Sequence, residues 1–471
     1  MFAAETYIER RRRLKHELSD GIVLFLGHCE SARNYADNPY PFRQDSSFLY
    51  FWGLNTPGLA ALIDLDEGTE VLFGTDPTVD EVVWTGPLPS LEERARRIGV
   101  STHAPIDQLA DRLQHAQEQG RPIHFLPQYR PNGRQQMQRL LDIPVGQVND
   151  HTSEALIRAV VAQRSVKSDE EVAEIEAAVD IAHAMHTNVM RNTAPGVPER
   201  TVAGDLWGLT RSRGGWLSFQ PTVSVHGEVL HNTISDRPMQ AGELTLCDAG
   251  AETTSNYASD ITRVTPVSGT FSDRQRDIYR VVLQAQERAI EAIQPGVPFK
   301  QIHLQAARDM TASMKQLGFM RGDVDEAVAA GAHAIFFPHG LGHMMGLDVH
   351  DMEGLGEDYV GYDATTERSD QFGLNSLRLA RPLETGFVLT VEPGVYFIPA
   401  LIDQWKAEGR HAAFVNYDKF EAFKDFGGIR IEDDVLVTTD GHRTLGPPIP
   451  KQVEEVEALA GKAHAVHPVE G

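Results

Sequence analysis

Apolar residues along this chain change their spacing several times, and each change marks an element. Near-continuous apolar runs at 21–27 (GIVLFLG), 48–54, 60–65 and 70–74 predict buried strands. Residues 91–98 and 106–113 read as helices. This alternation predicts an α/β domain closing near residue 150, followed by a connecting helix at 155–166. From Ser168 the period lengthens. Ser168 and Glu171 form a capping-box pattern, and Val172, Ile175, Val179, Ala182, Met185 and Val189 then recur at helical spacing. Pro195-Gly196-Val197-Pro198 ends that helix, and a second helix follows.

The same plan returns about a hundred residues later. Ser272 and Gln275 form another capping box, and a helix runs to about Ile293. Pro295-Gly296-Val297-Pro298 stops it, and a further helix spans 299–317. Gly242 to Gly250 (GELTLCDAG) then matches Gly386 to Gly394 (GFVLTVEPG), with glycine, acid and glycine at equal offsets. Asp248 and Glu392 are the acids. Each is followed by a later strand with more carboxylate, carrying Asp260 in one case and Glu432 in the other. The second part of the chain therefore reads as an internal duplication whose halves each bring two acids to a shared axis.

Length turns this pattern into two domains, because 471 residues exceed what a single core usually spans. No apolar run reaches the length of a membrane span, and residues 1–18 have no signal-like apolar stretch. The run Arg10 to Arg13 reads as the polar side of an amphipathic surface helix. Asp plus Glu is 67 against 43 Lys plus Arg, a net charge of −24 that excludes nucleic acid and anionic membranes as partners. Cys29 and Cys247 lie in separate strand-like stretches, which predicts no disulfide and fits a reducing cytoplasm.

Charge also sharpens the duplicated acids. A carboxylate in a strand-like setting is costly to bury unless something compensates it. Taken singly, each of the four reads equally as a solvated strand-end acid. As a repeated set, Asp248, Asp260, Glu392 and Glu432 would neutralise two divalent ions, and ions about 3.5–4 Å apart are a known hydrolytic arrangement. His339, His343 and His350 fall close together among glycines in 337–351. One imidazole can ligate a metal while others donate or carry protons. His339 is followed by Gly340, not Glu, so this is not a zinc HExxH helix. Oxygen ligands with few imidazoles favour manganese or a similar ion.

With these residues in view, the second domain resembles the pita-bread fold of the metallopeptidase family that contains methionine aminopeptidase, aminopeptidase P and prolidase. The resemblance rests on 247–250 (CDAG), 259–262 (SDIT), 339–351 (HGLGHMMGLDVHD), 390–394 (TVEPG) and 428–434 (GIRIEDD). The histidine-rich form is similar to the aminopeptidase P and prolidase branch. Residues 40–48, beginning Tyr40-Pro41-Phe42-Arg43-Gln44, resemble that branch's N-terminal domain. The resemblance implies an α/β chain with a creatinase-like, aminopeptidase P-like α/β domain and its connecting helix at 1–165. An α+β pita-bread catalytic domain with a pseudo-twofold duplication would follow at 166–471. It implies Asp248, Asp260, His343, Glu392 and Glu432 as ligands of two divalent ions, most simply Mn²⁺, with Co²⁺ or Zn²⁺ as alternatives. Glu392, His350 and His339 would be catalytic. His231, His339, His350 and Arg378 would bind substrate, and Arg430 and Tyr396 would orient the ligands.

The implied reaction is hydrolysis of an Xaa-Pro bond in a proline-containing peptide by a cytoplasmic homodimer. An Xaa-Pro bond is a tertiary amide without N–H, so a pocket shaped for the ring can specialise. Prolidase takes dipeptides and must grip the free carboxylate, and 376–383, with Arg378, resembles its carboxylate clamp. The long segment 398–427 also resembles prolidase, whereas 40–44 leans towards aminopeptidase P. The dipeptidase is the expectation and the longer-peptide aminopeptidase its alternative. A non-catalytic pita-bread binding module and a metal-free creatinase-like hydrolase are more remote, because all five ligand positions are intact.

Overall fold

In the computed structural model, which describes residues 2–463, contacts divide the chain into two units. One is Met1–Arg164 with Met352–Tyr359, and the other is Ser165–Asp351 with Val360–Gly471. Residues 464–471, assigned above to the catalytic domain, lie outside the described residues.

The first unit is built on a five-stranded sheet in the order Thr102–Pro105, Thr69–Gly74, Ala60–Asp64, Ile22–Leu26, Ile123–Phe125. The three inner strands are antiparallel neighbours and each edge strand is parallel to its neighbour. Leu24, Leu62, Phe73, Leu113 and Met137 meet in its core. Two expectations are corrected here. The apolar run at 48–54 is a helix, Ser46–Trp52, not a strand. All seven of its residues are buried, so no polar face exposes a helical period. Its ends carry the signal instead: Asp45 accepts from the Phe48 N–H, and Gly53 closes the C-terminus at φ 63°.

The arginine run lies on the helix Ala4–Glu17, but Arg10 and Arg11 are buried, so it is not simply a solvated face. The Arg11 guanidinium donates to Glu70 Oε2 at 2.7 Å and to the carbonyls of Phe51 and Ile98 at 2.9 and 2.8 Å. A planar fork of five donors can satisfy several chain ends at once, which an apolar side chain could not. Cys29 is exposed beyond the strand Ile22–Leu26, while Cys247 is buried within Leu244–Asp248, and both are free.

In the second unit both capping boxes form. They start the helices Asp169–Asn192 and Asp273–Glu291, and Glu199–Ser212 and Phe299–Gln316 follow as their partners. Each helix pair accompanies a three-stranded sheet. The first has the order Thr262–Pro266, Leu244–Asp248, Thr222–Ser224, and the second Val388–Val391, Asp433–Thr438, Gly441–Thr444. Both pairings are antiparallel, but their registers differ: Asp248 lies opposite Thr262, and Val391 opposite Asp433. The two sheets meet at a bridge between Thr262 and Glu432. The acids lie at strand ends rather than inside strands. Asp260 precedes Thr262–Pro266, and Glu432 sits between Gly428–Arg430 and Asp433–Thr438. Strand ends let a carboxylate face a cavity while the strand itself stays apolar. Among the described residues, no helix is long and apolar enough to cross a membrane.

Candidate metal centre

Two glycines bring the acid-bearing segments within reach of one another. A Cβ on Gly250 would lie 1.7 Å from the Ser259 carbonyl oxygen, so only glycine lets the segment after Asp248 pass the segment before Asp260. A Cβ on Gly342 would lie 2.0 Å from the Thr390 carbonyl oxygen. That contact seats the His343 loop on the strand leading to Glu392. The seating is reciprocal: His343 N–H donates to Thr390 Oγ1 at 3.1 Å, and Thr390 N–H to His343 O at 3.0 Å.

Asp260, His343 and Glu432 are buried and each offers one ligand atom, all three within 4.8 Å of one another. His343 Nδ1 lies 3.1 Å from the Met344 carbonyl, which assigns the ring proton to Nδ1. Its Nε2 is then the basic nitrogen, 3.5 Å from Asp260 Oδ2 and 3.6 Å from Glu392 Oε1. This is the tautomer a metal ligand needs. Asp248 joins the group from the other side, gripped by the Arg430 guanidinium. All five carboxylate and imidazole positions line one cavity of about 840 Å³.

So much like charge in one buried place is not stable as it stands. Burial pushes the Asp260 carboxyl well above its usual range, and Asp248 pushes it further. Burial does the same to Glu432, reinforced by Asp260, and it raises Glu392 against the pull of His343 and Arg430. Among the described residues, Asp248 Oδ1 and Asp260 Oδ1 are buried without a hydrogen-bond partner. Arg430 is already bonded to Asp248, Tyr396 and Thr262. Orphaned carboxylate oxygens beside a lone-pair imidazole are the donor set of a divalent cation, so the residues fit one.

The remaining predicted residues divide. His231, His339 and His350 line the same cavity. The His350 ring packs edge-on to His343 with centroids 4.2 Å apart. His339 is bound within the chain at both nitrogens, Nδ1 to Gly340 O at 2.7 Å and Nε2 to Tyr396 Oη at 2.8 Å. The carbonyl fixes the proton on Nδ1, so the Tyr396 hydroxyl donates to Nε2 while accepting from Arg430 Nη1 at 3.0 Å. Burial depresses the His339 imidazole to about 3, with Arg430 adding to it, and burial lifts the Tyr396 phenol to about 12. In Arg430 burial opposes the charge, but Tyr396, Asp248, Glu432 and Glu392 outweigh it and hold the proton on. Arg378 is half-buried and does not line this cavity among the described residues, although its charge contributes to the depression of His339.

Three residues of the site were not singled out from the sequence. Thr262 donates to Glu432 Oε2 at 2.6 Å and accepts from Arg430 Nε at 2.9 Å. Asp434 Oδ2 accepts the Asp260 N–H at 3.1 Å, and Thr390 holds the His343 backbone as described. All three stand inside 259–262, 428–434 and 390–394, so their neighbourhood to the acids was the available signal.

Residues 173–439 match the family model described as metallopeptidase family M24, and residues 7–124 match the aminopeptidase P N-terminal domain. The chain is 34% identical to the Xaa-Pro dipeptidase of Homo sapiens, over 98% of this chain and 93% of that one. It is 32% identical to the Xaa-Pro aminopeptidase of Haemophilus influenzae, over 97% of each. Its structure matches aminopeptidase P from E. coli with the inhibitor Pro-Leu at a TM-score of 0.80 and 30% identity, covering 98% of this chain and 99% of the other.

Proposed function

The chain belongs to metallopeptidase family M24, and from that premise we propose that it is an Xaa-Pro dipeptidase, working on two divalent ions. That it is a peptidase using divalent metal follows from the family. The Xaa-Pro specificity is drawn from the relatives on either side of it. The observation that carries the metal assignment is the cavity lined by Asp248, Asp260, His343, Glu392 and Glu432, with carboxylate oxygens left unpartnered.

We assign those five as ligands. When bound, the ions would lower the pKa of a shared water and polarise the scissile carbonyl. Glu392 takes the proton of the attacking water at a carboxylate oxygen. It returns the proton to the proline nitrogen as the C–N bond breaks. His350 donates to the carbonyl oxygen as that atom gains negative charge. His231 and His339 shape the wall around the peptide. Arg430 and Tyr396 hold Asp248 and His339 in place. Arg378 pairs with the free carboxylate of a dipeptide, where a guanidinium fork fits. Manganese is the expected metal, on its preference for oxygen ligands.

The dipeptidase reading is supported by Arg378 and by 398–427, which carries the helices Pro399–Glu408 and Tyr417–Glu421. The longer-peptide aminopeptidase is the second reading, favoured by the likeness to aminopeptidase P. In this scheme residues 166–471 carry the chemistry and 1–165 form the accessory domain. A homodimer is expected. The helix Val79–Thr85 has no buried residue and shows Val79 and Trp84 at 81% and 87% exposure, an apolar face a second copy would cover. Sedimentation as a monomer would remove that expectation. A cytoplasmic location agrees with the two free cysteines, and cell fractionation tests it.

The deciding experiment reconstitutes the protein with manganese, measures bound metal, and compares Ala-Pro with Ala-Pro-Ala. Activity that persists in chelator with no bound metal sinks the mechanism. Equal rates, or preference for the tripeptide, move the protein to the second reading with its ligands unchanged.

A further inference from the structure

Lys167 and Asp351 form an ion pair at 2.8 Å, and each side chain is only 1% exposed. Neither residue lines the cavity, yet Asp351 directly follows His350. The carboxylate also closes its own loop. Asp351 Oδ1 accepts from the Asp348 N–H at 3.3 Å, and Asp351 N–H donates to Met344 O at 2.9 Å. Lys167 brings a second attachment, because its N–H donates to Gly386 O at 2.8 Å, at the head of the strand that leads to Glu392. A third runs through Gly346. A Cβ there would lie 2.6 Å from Asp351 Oδ2 and 2.9 Å from Lys167 Cε, so glycine lets the pair close. The Gly346 carbonyl accepts from the Ala258 N–H at 2.8 Å, two residues before Asp260. Lys167 thus touches the loop that ends at Asp351 and the head of the strand leading to Glu392, and that loop in turn reaches the segment before Asp260 through Gly346.

A buried ion pair is a weak source of stability, since desolvation cancels most of its attraction and apolar residues of equal volume often do as well. What the pair supplies is a fixed point: a charge-assisted hydrogen bond of short length at the exit of the loop. Asp351 is the last residue of this unit before the chain leaves it at Met352. From this we infer that Lys167 is a positioning residue for His350, acting through Asp351 to hold the 343–350 loop against the strand of Glu392. The inference rests on the reading that His350 assists the substrate carbonyl.

The test uses full-length, metal-reconstituted protein and five variants: Lys167→Met, Asp351→Asn, the two combined, His350→Ala, and the combination in the His350→Ala background. Each single change removes the 2.8 Å contact from one buried charge of the pair and lowers Tm. The combination restores most of the Tm, yet kcat on Ala-Pro stays about ten- to a hundredfold down with KM and metal content little changed. In the His350→Ala background the combination costs no further turnover, because the residue it positions is gone. A combination that recovers both Tm and kcat, or that still lowers kcat tenfold without His350, overturns the inference. Should the combination fail to fold, the isosteric Asp351→Asn alone, with and without His350, gives the same decision. A His350→Ala enzyme with full turnover instead removes the underlying reading of His350.

Discussion

Thr262 and Glu432 hold each other twice, through a side chain and through the backbone. The Thr262 hydroxyl donates to Glu432 Oε2 at 2.6 Å, and the Glu432 N–H donates to Thr262 O at 3.2 Å. The two residues come from opposite halves of the duplication, 170 positions apart. The pair is therefore the point where the two sheets are aligned, and the orientation of one proposed ligand depends on it.

Thr262→Val keeps the shape and removes the hydroxyl. Glu432 then loses a donor and Arg430 Nε loses its acceptor, while the backbone bridge remains. Changes to groups that orient metal ligands typically cost about 10–100-fold in metal affinity or activity. A metal titration with steady-state kinetics should find a loss of that size, and Thr262→Ser should recover most of it. A valine variant with parental affinity and turnover would show that Glu432 needs no orienting group.

His350→Ala should lower turnover by about 10²–10³, the size seen when one donor to a developing oxyanion is removed. Metal content should be unchanged, since His343 supplies the imidazole in the three-residue group with Asp260 and Glu432. Loss of metal together with turnover would make His350 a ligand.

Arg378→Ala tests the clamp. A hydrogen bond to a charged group contributes roughly 1.5–3 kcal/mol, or about ten- to a hundredfold. We expect the variant to lose that much of its kcat/KM on Ala-Pro and little on Ala-Pro-Ala, narrowing the preference for the dipeptide. Equal losses on both peptides would assign Arg378 to holding the wall around His339.

Acid should destabilise the fold through two histidines that do not line the metal cavity. His303 and His333 are buried with no hydrogen-bond partner at either ring nitrogen among the described residues, their centroids 6.5 Å apart. Burial holds the first down to about 3, with His333 and His339 adding, and the second to about 4, with His411 adding. Both stay neutral in the folded chain, while in the unfolded chain they titrate near about 6.5. As pH falls below that value the unfolded chain gains protons that the folded chain refuses. Stability is present above about 6.5 and is lost downward through the folded values, at about 1.4 kcal/mol per unit for each group. Thermal unfolding of His303→Gln between about pH 7 and pH 5 should show a shallower fall in Tm than the parent. An unchanged slope would mean that His303 does not titrate on unfolding.

Much of the catalytic unit was legible along the chain. Both capping boxes start helices where Ser168 and Ser272 predicted them, because a cap is satisfied within four residues. The equal offsets around Asp248 and Glu392 marked two equivalent strand ends: Asp248 closes Leu244–Asp248, and Glu392 directly follows Val388–Val391. The helix Ser46–Trp52 was misread for a related reason: burial on every side erased the period on which the reading depends.

The sequence by itself determined the local elements, the duplication and the residue types able to hold a cation, for these follow from short-range spacing. Only the tertiary structure decided which side chains share an orphaned oxygen's surroundings. That Arg11 is buried, that Thr262 serves Glu432, and that Lys167 reaches Asp351 across 184 residues leave no mark on neighbouring positions. A lysine on a surface and a lysine closing a buried ion pair have the same local pattern. What separates them is the desolvation and the partner that the fold supplies.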